Sequence, residues 1–332
     1  MGGDRIRVGV WGLGPHAIGK VLPALGATRH CVLAGVTTRN PSVLAEVATR
    51  FGCRAWRSPN AMLEDSEVDA IYLATPTGLH DDHVREILAA RKHVWCEKSL
   101  THDPWRSLSL VTAARTADLA LCEAFMYVHH PQFARLREVL AQPTFGEIAS
   151  ATIRFGLPDL ARPGFRYDPA LGGGAFLDVG CYLIHFVAEL FGAADVVYAR
   201  FETLDRRVDV RGRAELVLAA GGHAFLEWGY GLAYRNEAFV WGTTSAVSVE
   251  SAFSKRDETR LVITDQTGGV TVERIAATNA FVAMFDVLAA TARDRTAREL
   301  WWRAAERQAQ AMARVASAAN LNLTPSPRPS TG

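Results

Sequence analysis

The stretch IRVGVWGLGPHA, Ile6 to Ala17, decides the fold. Its first half, Ile6 to Trp11, is apolar and bounded by glycine, which predicts a buried strand. Its second half, Gly12-Leu13-Gly14-Pro15-His16-Ala17, has the G-x-G-x-x-A form of a dinucleotide fingerprint. Gly12 permits a tight turn, Gly14 lets the backbone approach a pyrophosphate, and Ala17 is small enough for a helix to pack on the strand. The helix expected from about Ala17 to Leu25 then offers free N–H groups and a positive dipole end to phosphates. The competing reading is an ordinary strand-to-helix turn. A strand before and a helix after, as the binding mechanism requires, favour the fingerprint.

Outward from this stretch, strands and helices alternate. Strands are predicted at Cys31 to Thr37, Asp69 to Ala74, His93 to Cys96 and Leu119 to Glu123, and helices at Val43 to Phe51, His83 to Ala90 and Pro104 to Ala117. That alternation implies a parallel sheet with helices on both faces, a Rossmann domain over residues 1–124. Near Gly146 the pattern changes. Strand patterns follow at Glu147 to Gly156, Val196 to Glu202, Val208 to Leu218, Gly222 to Gly229, Glu237 to Trp241, Val247 to Glu250 and Arg260 to Thr264. Strands in series without intervening helices predict a large, mostly antiparallel sheet. One helix, from about Gly173 to Leu190, interrupts them, and two more, Thr278 to Ala292 and Ala297 to Ala319, close an α+β domain over residues 125–323. The tail 324–332, TPSPRPSTG, is expected to be disordered.

The bulk numbers agree with two domains. The chain has 332 residues, 49% of them hydrophobic, too many for one typical core. A formal net charge of +1 gives no electrostatic reason to expect nucleic acid or an anionic membrane as partner. The 5 cysteines are scattered without a C-x-x-C pair, so neither a disulfide framework nor a metal site is expected, and a reducing cytoplasm fits. No signal peptide is visible and no apolar run looks long enough to span a bilayer.

The second strand bears on the choice of cofactor. NAD sites usually end this strand in a carboxylate for the ribose 2′-hydroxyl. Here it ends Thr37-Thr38-Arg39-Asn40, with no acid at the tip. Thr38 can donate to a 2′-phosphate and Arg39 can supply charge and stack on adenine, which favours NADP(H), with NAD(H) the lesser choice. Arg39 as a solvated surface residue is the alternative. After the third long strand comes Thr75-Pro76-Thr77-Gly78-Leu79-His80, at the strand end where α/β folds bind ligands. It serves either the cofactor or a plain turn with His80 as a cap. Glu97-Lys98 follows the next strand, either as a surface ion pair or with the lysine beside the nicotinamide, bonding a substrate oxygen. Together with the family resemblance given below, these readings make the candidate cofactor-binding set Gly12, Leu13, Gly14, Pro15, His16, Ala17, Thr38, Arg39, Thr75, Pro76, His80, Glu97 and Lys98.

In the second domain, Gly172-Gly173-Gly174 precedes a helix carrying Asp178, Tyr182 and His185. The glycines permit close backbone approach to a ligand. Asp178 and Tyr182 are spaced to share one helix face, with His185 beside them. They form either a proton-handling group or a cap with a buried phenol.

The segments GLGPHA, ATPTGLH, KHVWCEKSL, EAFMYVHHP and GGGAFLDVGCY, in this order over nearly the whole chain, resemble the glucose-fructose oxidoreductase / inositol dehydrogenase / MocA family. Within it, EAFMYVHHPQ, FRYDPALGGGAFLDVGCY and GLAYRNEAFVWGT are similar to NDP-sugar 3-ketoreductases of deoxysugar pathways. The resemblance implies that Lys98 contacts the reacting oxygen of the substrate and that Tyr182 donates its proton. It implies that Asp178 binds substrate and that Arg166, Tyr167 and Tyr234 stand where a nucleotide diphosphate or sugar would lie. His185 falls where relatives vary, and either binds the sugar or shifts the pKa of Tyr182. Ser99 stands where the family has proline; it removes a rigid turn residue, and a cis peptide there is costly. The implied activity is NADPH-dependent reduction of a keto group on a nucleotide-linked sugar. The rivals are NADP-dependent oxidation of a free sugar, polyol or dihydrodiol, and a non-catalytic nucleotide sensor or structural subunit. Relatives commonly oligomerise through the second domain's sheet, so a homodimer or homotetramer is expected.

Overall fold

The computed structural model describes residues 5–160, 164–204, 207–253 and 257–319. The tail expectation at 324–332 and part of the loop after Leu157 lie outside them. The chain divides into two compact units. The first comprises the described residues of Met1–Thr101, Arg106–His129 and Asn279–Glu306; the second, those of His102–Trp105, His130–Thr278 and Arg307–Gly332.

In the first unit, six strands run parallel: β1 (Ile6–Trp11), β2 (Cys31–Thr37), β3 (Arg54–Ala55), β4 (Ala70–Leu73), β5 (His93–Cys96) and β6 (Leu121–Glu123). Their order is β3-β2-β1-β4-β5-β6, the doubly wound arrangement of a dinucleotide-binding fold. Successive side chains feed opposite faces. Ile71, Leu73, Val94 and Cys96 join one apolar cluster, while Tyr72 and Trp95 join the other. Burial on both faces is why these strands read as continuous apolar runs.

Helix α1 (Leu22–Ala27) continues a π-helical turn at Ala17–Val21. Helix α2 (Pro41–Phe51) begins at Asn40, whose side chain accepts the N–H groups of Ser42 and Val43. Then come α3 (Pro59–Leu63), α4 (His80–Ala89) and α5 (Pro104–Ala117). Late in the sequence the chain returns to this unit. Phe281, Met284, Phe285 and Leu288 belong to the same buried cluster as Val8, Val10 and Val36.

The second unit has an eight-stranded sheet. Its strands are β7 (Ile148–Gly156), β8 (Ala194–Leu204), β9 (Val208–Leu218), β10 (His223–Gly229), β11 (Arg235–Gly242), β12 (Ser245–Glu250), β13 (Thr259–Asp265) and β14 (Val270–Ile275). They are ordered β14-β13-β12-β11-β7-β10-β9-β8. Among the described residues of this unit only β7 and β10 pair in parallel, and the other pairings are antiparallel. Burial alternates along β10 and β11, so one face of the sheet is covered. Helix α6 (Pro131–Leu140) precedes the sheet, and α7 (Cys181–Phe191) extends a π-helical turn at Phe176–Gly180. Phe176 packs within 5.9 Å of Trp228, and Phe186 within 5.7 Å of Phe253, ring centre to ring centre.

The last helices among the described residues are α8 (Ala280–Arg293) and α9 (Arg295–Ala318). The segment Pro169–Phe191 is long and apolar enough to cross a membrane, contrary to the expectation that none is. The fold uses it otherwise: 67% of its most apolar window is buried, as in the core helix of a globular unit.

Candidate active site

The phosphate turn is shaped by backbone. Gly12 has φ +103°, and a Cβ there would lie 2.6 Å from the Ala74 carbonyl oxygen, so only glycine fits between β1 and the end of β4. Its N–H donates to Thr37 O at 3.0 Å. A Cβ on Gly14 would meet no protein atom within 4 Å, so its backbone lies bare beside the start of the helix. Ala17 is buried against the sheet. Leu13 is buried, whereas Pro15 and His16 are exposed. These features suit a dinucleotide pyrophosphate.

At the tip of β2, Arg39 is exposed and Thr38 half-buried, while the Asn40 side chain is committed to capping α2. His83 stacks on Trp11 with centroids 4.2 Å apart, and its Nδ1 lies 3.1 Å from the Thr75 hydroxyl. Burial pushes its pKa down to about 4, with the charges of His80 and Arg39 acting in the same direction.

Thr75 and Pro76 are half-buried. His80 is fully buried, with Nε2 2.8 Å from Thr75 O and Nδ1 2.9 Å from Ser99 O. Both ring nitrogens are thus turned to backbone carbonyls. His80 thereby ties the loop after β4 to the turn after β5.

Lys98 sits in that turn, and the Lys98–Ser99 peptide is cis. Its neighbours are fixed by hydrogen bonds and a charge contact. The Tyr72 hydroxyl donates to Glu97 Oε1 at 2.5 Å, and His16 Nε2 lies 3.0 Å from the same oxygen. Burial alone would raise the Glu97 pKa. The charge and hydrogen bond of His16, the Tyr72 hydroxyl and the Lys98 charge outweigh it and hold the carboxyl below its usual range. Glu123, at the end of β6, accepts the Leu100 N–H at 2.8 Å. Burial pushes this carboxyl up to about 7, against the pull of that N–H and of Lys98.

The second unit carries the other group of polar side chains. Asp178 lies in the π-helical turn, where the Cys181 N–H reaches back to Phe176 O. Such turns recur at functional sites. The expected α-helical spacing of Asp178 and Tyr182 therefore begins in a wider turn. Asp178 Oδ2 accepts Arg166 Nε at 2.6 Å, and the Tyr230 hydroxyl lies 3.1 Å from the same oxygen. Burial would lower the Arg166 pKa, but the Asp178 charge and hydrogen bond raise it. The Tyr167 and Tyr230 rings meet edge to face at 5.7 Å.

Tyr182 is half-buried, its ring 5.6 Å from Phe155 and 5.5 Å from Phe253. His185 is buried. Tyr234 is half exposed, and its hydroxyl accepts from Asn236 Nδ2 at 3.2 Å. Asp209, on β9, accepts the Phe176 N–H at 2.6 Å and so anchors the start of the helix. Gly174, at φ +123°, leaves room for it: a Cβ there would lie 2.3 Å from Asp209 Oδ1.

The structure thus adds Tyr72, Glu123, Asp209 and Tyr230 to the residues read from sequence. Tyr230 directly follows the strand pattern ending at Gly229, the one local signal that could have marked it. Among the described residues no group of three or more His, Cys, Asp or Glu could hold a metal ion.

A parallel sheet with a glycine phosphate turn, a lysine in the turn beyond a neighbouring strand and a second sheet-based unit define a nicotinamide-dinucleotide oxidoreductase. The chain belongs to the GFO/IDH/MocA oxidoreductases: residues 6–125 match the family's NAD-binding Rossmann fold and residues 133–248 its C-terminal domain. It is 33% identical over 273 residues, 81% of each chain, to the dTDP-3,4-didehydro-2,6-dideoxy-alpha-D-glucose 3-reductase of Saccharopolyspora spinosa. It is 35% identical over 223 residues, 66% of this chain and 68% of the relative, to D-xylose 1-dehydrogenase (NADP(+)) 2 of Haloferax volcanii. Its fold matches a 3-ketoreductase from Actinomadura kijaniata, solved with NADP and TDP-benzene, at a TM-score of 0.90 and 30% identity, covering 95% of this chain and 98% of that one.

Proposed function

We propose that this oxidoreductase uses NADPH to reduce a keto group on a nucleotide-linked deoxysugar. Gly12, Leu13, Gly14, Pro15, His16 and Ala17 hold the cofactor's pyrophosphate, and Thr38 and Arg39 its 2′-phosphate. Thr75, Pro76 and Glu97 line its path, and His80 keeps that path in shape. The cofactor, when bound, supplies the hydride. Tyr182 protonates the substrate oxygen as negative charge develops on it, and Lys98 stabilises that charge. The proton lost from Tyr182 returns from solvent. Arg166, Tyr167, Asp178, His185 and Tyr234 bind the sugar or its diphosphate, for which a guanidinium forms charge-assisted bonds.

The observation that supports this most is the likeness to 3-ketoreductases over nearly the whole chain, joined with a lysine in the turn after β5 and a Tyr182–Asp178 helix. The test is NADPH consumption, followed by absorbance, on adding a keto-sugar nucleotide. The activity is expected to disappear in Tyr182→Phe and Lys98→Ala. A second reading, oxidation of a free sugar by the same residues with NADP⁺, is favoured by the likeness to the xylose dehydrogenase. Turnover of free sugars or polyols, with none of a keto-sugar nucleotide, would select it.

The protein assembles as a homodimer or homotetramer through the outer face of the large sheet. Phe225 and Phe239 flank Thr152 on adjoining strands of that face, and Trp241 is 59% exposed. Aromatic side chains exposed together on a sheet face favour covering by another surface.

A further inference from the structure

One contact joins the phosphate turn to the strand end bearing Lys98. His16 Nε2 lies 3.0 Å from Glu97 Oε1, with the His16 side chain 51% exposed and that of Glu97 14% exposed. Neither partner needs the other to complete the fold. The turn is closed by backbone bonds, Gly12 N–H to Thr37 O and Ile18 N–H to Gly14 O. Glu97 already accepts the Tyr72 hydroxyl. The contact is thus additional to the bonds that shape the turn.

Its position gives it another use. In the order β2-β1-β4-β5 a dinucleotide crosses outside the strand ends where the order reverses, next to β1. Arg39 marks the β2 side of that crossing. His16 follows Gly14 and reaches toward the β5 side, its ring 5.4 Å from Phe281.

We infer that His16 is a proton-linked positioning residue for the cofactor. As an imidazolium it attracts the pyrophosphate and at the same time holds Glu97, and with it the turn bearing Lys98. The inference rests on the dinucleotide reading of Gly12 to Ala17. The charges that act on the ring are few. Glu97 raises its pKa most strongly; burial, Lys98 and Lys20 lower it, and the net direction is upward. Tyr72 donates to Glu97, and Phe281 brings no charge. A bound pyrophosphate adds a further attraction to the protonated form. Binding therefore takes up a proton wherever His16 is neutral in the free protein, and affinity falls as pH rises past the His16 pKa.

The test is the Kd for NADPH, measured by fluorescence from about pH 6 to about pH 9 on the full chain, where a histidine changes charge. The unaltered protein, His16→Gln and His16→Ala are compared. Glutamine keeps a donor for Glu97 without the charge. Titration of the cofactor's own 2′-phosphate is common to all three proteins and cancels. The Kd of the unaltered protein is expected to rise about tenfold more across this range than that of either variant, the effect of one pKa unit of coupling. Equal pH slopes for the unaltered protein and His16→Gln overturn this inference alone. No NADPH binding by the unaltered protein at any pH overturns the dinucleotide reading, and this inference with it.

Discussion

Arg166, in the 3-10 turn Phe165–Tyr167, donates through Nε to the Asp178 carboxylate at 2.6 Å and so holds the turn that leads to Tyr182. The Tyr230 hydroxyl shares that oxygen and also lies 3.2 Å from Gly174 O. Arg166→Ala leaves Asp178 with one fewer donor. Hydrogen bonds to charged groups contribute about 1.5–3 kcal/mol, so kcat/KM is expected to fall by about 10- to 100-fold. Arg166→Lys, with a point charge in place of a planar fork, should recover only part of it. Steady-state kinetics on both variants checks this.

We propose that Arg39, just beyond the tip of β2, governs cofactor choice. Placing a carboxylate there repels a 2′-phosphate and offers an acceptor to a 2′-hydroxyl. Arg39→Asp is expected to weaken NADPH binding by at least about tenfold and to improve NADH binding. Fluorescence titration with both nucleotides decides it.

Asp209 makes stability depend on pH in an unusual direction. Burial pushes its folded pKa up to about 7. An unfolded aspartate titrates at about 3.9. The folded state therefore binds the extra proton between these values. Its contribution is fully present below about pH 4, declines as pH rises toward about 7, and is constant beyond. Glu123, also pushed up to about 7 by burial, acts with the same sign. Asp209→Asn keeps an acceptor for the Phe176 N–H and removes the charge. It is expected to raise stability near neutrality by on the order of 1–3 kcal/mol and to flatten the profile in part. Urea unfolding at pH values across that window measures this.

The exposed aromatic residues of the large sheet predict the assembly. Trp241→Glu combined with Phe239→Glu puts like charges across the proposed interface and should shift the protein to monomers. Sedimentation velocity reads the change directly. An unchanged assembly would remove this face as the interface.

The sequence made much of the first unit legible because both chemistry and period are local there. The strands Cys31–Thr37 and His93–Cys96 and the helix Pro104–Ala117 coincide with the expected bounds. Other elements had no local signal to give. β3 is two residues long, too short for any period. β14 is mostly exposed, so its residues lack the apolar alternation of a half-buried strand. Helix α6 is capped by the His130 ring, which accepts the Gln132 N–H at 3.1 Å, and histidine is not among the residues that announce a helix start. In the candidate site, motif residues such as Gly12, Lys98 and Asp178 could be named from sequence. Their supports could not. Tyr72 lies 25 positions from Glu97, and Tyr230 lies 52 from Asp178, and only folding brings them together.

The return of residues 279–306 to the first unit has a consequence for how the molecule is made. A chain emerging from the ribosome N-terminus first has all six strands of the first sheet long before Phe281, Met284 and Phe285 exist to cover their apolar face. The nucleotide-binding unit therefore cannot finish folding until most of the polypeptide has been synthesised, and it is not a cassette that a gene fusion could lift out at residue 129.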